Sequence, residues 1–336
     1  MADSNSITLS DYALMSNSPL VQKFTYSLIQ FGSVLQDIPL RTYKSMTANG
    51  SRFLGAGLAT VGYRKLNEAP AVTKSVPTAY QEQAYIVSNN FDIDTILLED
   101  VNRIQDPFAT QMSAYLRALT YDFNDKFINN DPINGDADAP VGLRYRLDNY
   151  SDYQIPSEMK FAAGGSTIDI SAGSNGDALA ENLQKMLDIM GSPDGTGVVL
   201  YGSELLWRKI SRAILKLGTG GGFRIDQDQF GRQVTKYQNA IVRKMGRKAD
   251  QTTQILTDTE STTGASSSSN YSSLYGVHYG LDQFSGWQFR NMEEAITGPY
   301  LLTATGTQQQ ITFDWPVGLW QEHIRSVSRM YGLKTS

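Results

Sequence analysis

The chain has 336 residues, 40% of them hydrophobic and 19% charged, with a formal net charge of −5 and no cysteine. A chain this long buries roughly three quarters of its unfolded surface and exceeds the usual size of one core, so two lobes are expected. The missing cysteines exclude disulfides, zinc–thiolate centres and a thiol nucleophile, and the acidic balance argues against a chain whose main task is gripping phosphates.

Residues 1–18 are polar and read as a mobile arm, and "MADSNSITLSDYALMS" lacks the basic and apolar regions of a secretory leader. Ser18 followed by Pro19 starts a helix. Its apolar stripe is Leu20, Phe24, Leu28, Phe31 and Leu35, and Pro39 ends it. From Leu40 to about Asp94 the sequence turns extended, with a turn signal at Asn49-Gly50 and strand-like alternation in "AYIVSNNFDID". The middle of this stretch holds too few large apolar residues for a core, so it must be disordered or packed against something else.

The longest helix follows, with Asp106 as cap and Pro107 as first residue, a stripe of Phe108, Met112, Tyr115, Leu119, Phe123 and Phe127, and a stop at "NNDP". Beyond a polar, glycine-containing stretch come a helix from Asp177 to Met190, a buried strand "GVVLY" and a helix from Ser203 to Gly218. Hairpin strands in "RQVTKYQNAIVRKM" succeed them. Residues 257–273 read as a flexible serine/threonine-rich loop, and the last seventy residues as strands that return to finish the earlier lobe. No internal repeat and no apolar run of membrane-spanning length occurs.

Apparent chemistry does not hold together. The glycines between Gly218 and Gly222 follow a helix and precede a strand, the reverse of a phosphate loop, and no Gly-Lys-Ser/Thr accompanies them. Asp226, Asp228 and Gly231 fit the first, third and sixth places of a calcium loop, but Phe230 and Tyr237 occupy the fifth and twelfth. His278 and His323 have no second histidine at helical spacing, and no Gly-x-Ser-x-Gly elbow exists. The pairs Asp92/Asp94 and Glu293/Glu294 read as solvated faces, as does "RKMGRK" at 243–248. No enzyme, cofactor or metal site is expected. Two other readings are a tail or surface adhesion subunit, and a hydrolase with a serine beside one of the histidines.

The order of arm, coreless hairpin, long helix, separate lobe and returning C-terminus resembles the major capsid proteins of tailed bacteriophages, the Hong Kong 97-like family. "LSDYALMSNSPLVQKFTYSLIQFGSVLQDIPLRT" (9–42) looks like the family's opening helix and "VGYRKLNEA" (61–69) like the far side of its extended loop. "FNDKFINND" (123–131) looks like the end of its spine helix, and "PVGLRYRL" (140–147) like the step after it. "DQFGRQVTKYQNAIV" (228–242) is similar to its axial hairpin and "FDWPVGLWQEHIRSVSRMYGL" (313–333) to its closing strand and tail.

The resemblance implies an α+β capsid fold with an N-terminal arm (1–44), an extended β-hairpin loop (45–80) and a peripheral domain (81–145) with its spine helix at 107–130. An axial domain (146–289) and a C-terminal return to the peripheral domain (290–336) complete it. It implies a non-enzymatic shell subunit arranged in pentamers and hexamers around double-stranded DNA, located in the virion and in the host cytoplasm during assembly. Implied partners are copies of itself, a separate scaffolding protein, a portal, encapsidated DNA through weak non-specific contacts, and room for a decoration protein, with no membrane. The candidate intersubunit contacts are Arg52, Phe53, Arg64, Lys65 and Glu68 in the loop. Gly220, Gly221, Phe223 and Arg224 join them near the capsomer centre, where glycines let copies approach a symmetry axis. Some relatives crosslink through Lys, Asn and a catalytic Glu. Nothing in the spacing of Lys44, Lys65 and Glu68 marks them for that reaction, so no crosslink is expected.

Overall fold

The computed structural model describes residues 34–52, 58–99, 107–216, 222–227, 233–290, 292–301 and 306–336. Most of the expected opening helix, the cap Asp106 and most of the glycine run lie outside these. A short helix, α1 (Val34–Asp37), and the strand β1 (Leu40–Thr42) lead into β2 (Thr47–Arg52), which pairs antiparallel with the long β3 (Thr78–Asp94). A short helix, α2 (Thr95–Glu99), follows. Asn49-Gly50 is therefore not a turn but the middle of a strand. A side chain on Gly50 would stand 2.7 Å from the Trp320 ring, so glycine is there to admit an indole.

In β3 the burial alternates but changes phase. Tyr80, Glu82 and Ala84 are buried in the first half, whereas Tyr85, Val87, Asn89, Phe91 and Ile93 are the more buried in the second. Side chains of a strand alternate strictly between faces, so the two halves present opposite faces to two different apolar clusters. Val87 and Phe91 pack on the main core, and Tyr80 and Ala84 on a small second cluster with Trp287 and Trp320.

The helix α3 (Pro107–Asn129) runs close to its expected span, about 35 Å at 1.5 Å per residue. It buries Met112, Leu116, Leu119, Phe123, Phe127 and Ile128, the three- and four-residue spacing of one face. Buried Asn124 accepts the Val34 amide at 3.3 Å and so ties α1 to it. Asn130, just past the helix, donates from its amide to the carbonyls of Asp136, Ala139 and Pro140 at 2.9–3.2 Å. That gathers the polar "DPINGDADAP" stretch into a compact turn. Gly142 then passes so close that a Cβ would lie 2.6 Å from the Asn130 amide nitrogen. The helix α4 (Leu143–Asp148) follows.

The second sheet uses β4 (Lys160–Ala162), β5 (Ile168–Asp169), β6 (Val198–Gly202), β7 (Phe223–Gln227), β8 (Gln233–Tyr237), β9 (Ala240–Lys244), β10 (Tyr271–His278) and β14 (Val327–Lys334). Its order is β4-β14-β10-β6-β9-β8-β7, with β5 also on β14. The helix α5 (Gly176–Ile189) packs Met186 toward Gly276 of β10, and α6 (Glu204–Leu215) begins at Ser203, whose Oγ accepts the Leu206 amide at 3.0 Å. The first sheet gains β11 (Phe284–Gln288), β12 (Ile296–Leu301) and β13 (Gln308–Gln321), in the order β1-β11-β13-β3-β2 with β12 on β13. A short helix, α7 (Met292–Ala295), lies between β11 and β12.

Three expectations change here. The C-terminal segment returns only in part: β13 pairs with β3 in the first sheet, but β14 lies between β10 and β4 in the second. Conversely β11, expected with the axial lobe, sits beside β13 in the first sheet. The serine-rich 257–273 stretch is not a loose loop. The Arg329 guanidinium, 1% exposed, donates to Glu260, Asp148 and the Gly264 carbonyl, and Arg144 also pairs with Glu260. Composition cannot reveal such an anchor, because the charge that holds the loop comes from a strand sixty residues away.

One apolar cluster runs through α3 and both sheets. Phe127 makes edge contacts with Tyr201 of β6 and Phe284 of β11, at 6.0 and 5.9 Å between centroids, and Phe123 leans on Trp315 of β13. Phe127→Ala is expected to cost about 3–5 kcal/mol, measured as a shift in the urea unfolding midpoint of the full chain with its m-value retained.

Candidate subunit interface

Between β2 and β3, residues 58–77 leave the body of the protein. Arg52 and Thr78 form the last paired position of the hairpin, and Leu58 to Pro77 continue outward with no backbone ladder recorded between the two sides. What holds the two sides together is side chain to backbone. The Ala59 amide donates to Ser75 Oγ at 3.0 Å, and Thr73 Oγ1 donates to the Thr60 carbonyl at 3.1 Å. At the tip the Glu68 amide donates to the Lys65 carbonyl at 3.2 Å, with Asn67 at φ +68° in the turn's left-handed position. The nine residues from Leu58 to Leu66, fully extended, reach at most about 32 Å.

The arm's apolar side chains face solvent. Tyr63 is 101% exposed, Val72 99% and Leu66 91%, with Val61, Leu58 and Val76 also open. Scattered exposed apolar residues are ordinary, but several on one projecting arm mark a surface that meets a partner.

The root of the arm is built differently. Arg146 of α4, 1% exposed, makes a two-pronged ion pair with Glu82 of β3, 8% exposed, and donates to Tyr80 Oη at 3.1 Å. Tyr80 also donates to Glu82. Burial alone would lower Arg146, but Glu82 beside it holds its proton more tightly than usual. Arg52 closes the box, with its guanidinium 3.5 Å from the Tyr80 ring centre and donating to the carbonyls of Glu322 and Tyr153 at 3.1 and 3.2 Å. Burial pushes Arg52 down to about 10 and pushes the Tyr153 phenol up to about 12, the nearby Arg146 charge offsetting only part of that rise. Two indoles complete the support. Trp287 lies over Gly318, where a Cβ would approach within 2.5 Å, as Trp320 does over Gly50.

The sequence-derived candidates thus separate. Arg52 is buried in its own chain as an anchor, not presented to a neighbour. Arg64, Lys65 and Glu68 stay together at the tip, where Arg64 donates to the Glu68 carbonyl at 3.0 Å and the Glu68 carboxylate accepts the Lys65 amide at 2.9 Å. These contacts shape the turn, and Lys65 is exposed. Phe53, Gly220 and Gly221 lie outside the described residues. On the hairpin β7–β8, Phe223 packs on Tyr237 and Trp207, while Arg224 is exposed and donates to Asn239. Sequence reading missed Glu82, Arg146, Tyr80 and the two tryptophans. The even-numbered burial of Tyr80, Glu82 and Ala84 was the available signal, a carboxylate on the buried face of a strand.

"RKMGRK" is not wholly solvated: Arg243 grips Asp37 through two bonds of 2.8 and 2.6 Å. Neither histidine ring is hydrogen-bonded to a serine hydroxyl among the described residues. His323 Nδ1 accepts the Arg325 amide, and burial lowers the His278 pKa. Among the described residues no cluster of His, Cys, Asp and Glu could hold a metal ion, and no helix is long and apolar enough to cross a membrane.

No family model and no curated protein matches the sequence. Solved structures do. The holo-SrpI encapsulin complex from Synechococcus elongatus PCC 7942 matches with a TM-score of 0.60 at 9% identity, over 97% of this chain and 95% of that chain. The capsid of an empty GTA particle matches with a TM-score of 0.50 at 12% identity, over 91% and 90%. At such identities the likeness is one of fold, and the fold is the α+β, Hong Kong 97-like capsid fold.

The ionic root has a measurable signature. Glu82→Ala strands the Arg146 charge and is expected to cost about 3–5 kcal/mol, whereas the double change Glu82→Leu with Arg146→Met should cost much less. Urea unfolding of the two variants beside the parent chain measures both, and equal losses would show that the pair is not what roots the arm.

Proposed function

We propose that the chain is the major subunit of an icosahedral shell, assembling with copies of itself into pentamers and hexamers around the double-stranded DNA of a tailed phage. It acts as a structural protein, not an enzyme, in the virion. A separate scaffolding protein and a portal would take part in assembly in the host cytoplasm. The observation that carries this reading is the arm 58–77: rooted in a buried ionic box, yet exposing Tyr63, Leu66 and Val72 where the described residues offer no cover. Such an arm becomes useful when a neighbouring subunit covers it, and the capsid-type fold supplies neighbours by symmetry.

A second reading has one observation in its favour, the higher TM-score to the encapsulin. In it the shell encloses a cargo other than phage DNA. Purified particles distinguish the two: nuclease-resistant nucleic acid inside them is expected, and particles free of it would favour the second.

Because Arg52 and Thr78 are paired across the hairpin, residues 53–77 can be replaced by Asn-Gly, a two-residue connection suited to that geometry. The shortened chain is expected to fold with a thermal midpoint within a few degrees of the parent and to form no closed particles by electron microscopy. Unfolding would place the arm in the subunit's own core, and normal shells would remove its role between subunits.

A further inference from the structure

A cleft of about 540 Å³ opens between α6 and the β8–β9 strands, floored by Trp207 and Val242. Its rim carries Arg208, Arg212, Lys216 and Lys244, all exposed, and no carboxylate lines it. In a chain of net charge −5 this is a local reversal of sign. Among the described residues no ion pair is recorded for any of the four. Lys216 spends one donor on the Ala172 carbonyl at 2.7 Å, and Arg208 reaches the Glu204 carbonyl at 3.4 Å.

Three of these cations recur every fourth residue on α6 and its last turn. Like charges at that spacing repel and weaken a helix. The helix dipole compensates cations in the final turn, which covers Arg212 and Lys216. It does not account for Lys244 facing them from β9, and Arg208, one turn earlier, has only the more distant Asp258 and the i−4 Glu204 to offset it. An anion in the cleft accounts for all four. The row is extended: four residues rise about 6 Å along the helix, so the three cations meet an elongated polyanion more readily than a single compact anion.

We propose that this cleft is a phosphate-binding site that takes the backbone of nucleic acid along the Arg208–Arg212–Lys216 row, with Lys244 closing the opposite side. The contacts carry no sequence information, because they reach phosphates and not base edges. The choice of DNA rests on the shell reading; the phosphate chemistry does not.

The experiment titrates the full-length protein into a fluorescein-labelled 20-base-pair duplex at several salt concentrations, with inorganic polyphosphate and polyglutamate as competitors. Four neutralised phosphates give a slope of log affinity against log salt near about −3.6. Arg208→Gln/Arg212→Gln/Lys216→Gln is expected to lower affinity at least tenfold and flatten the slope by about 2.7. All three side chains are exposed, and the single Arg212→Gln, which should flatten it by about 0.9, guards against misfolding of the triple variant. Unchanged affinity and slope in both variants would overturn the site, as would failure of polyphosphate to compete. Polyglutamate competing as well as polyphosphate would overturn the phosphate assignment in favour of an acidic protein segment. Polyphosphate binding with particles that contain no nucleic acid would keep the site while removing the shell's DNA.

Discussion

The projecting arm hangs from one buried charge pair. Glu82 sits on the inward face of β3 and Arg146 on α4, and neither reaches water to a useful extent. A buried pair of this kind is a poor source of stability, since desolvation consumes most of the attraction. It is a strong source of register. Shifting β3 by one residue would turn Glu82 and Tyr80 outward together and leave the Arg146 guanidinium buried without its carboxylate. The register of β2 against β3, and so the direction in which the arm departs, follows from where that carboxylate must be.

The second constraint is the helix α3. It is the element through which the two sheets share an interior, with Phe123 and Phe127 meeting residues of both. The ion pair between Asp37 and Arg243 and the bonds from Arg329 to Asp148 and Glu260 add charged fastenings between segments distant in sequence. The molecule is thus stiff where its own residues meet and bare where they do not. A subunit that must fit several symmetry-related neighbours gains from that division, because adaptation is confined to the projecting parts.

Local periodicity was legible in the sequence. The stripe Met112, Leu119, Phe123, Phe127 predicts α3, and Asp177 to Met190 predicts α5 to within a residue or two. The absence of a core in the arm was legible as well, since it is a matter of counting large apolar residues. What could not be read were pairings between remote residues. Gly50 looks like a turn until Trp320 is known to lie on it. The serine-rich stretch looks loose until Arg329 is found beneath it, and β14 looks like a partner of β13 until Tyr271–His278 is seen to claim it. Arg52 was read as an outward charge for the same reason: the carbonyls that hold it belong to Glu322 and Tyr153.

The phase change in β3 has a mechanical meaning. The strand continues unbroken for 17 residues, about 56 Å, although its two halves rest on opposite faces. No hinge separates the half that carries the arm from the half that lies against the long helix. A load applied to the arm would therefore pass as tension along a single strand. It arrives at the eleven-position ladder with β13, where the backbone bonds share it in shear. The arm is the outer end of a lever whose inner end lies in the core, so a displacement at one subunit's edge is felt in its interior.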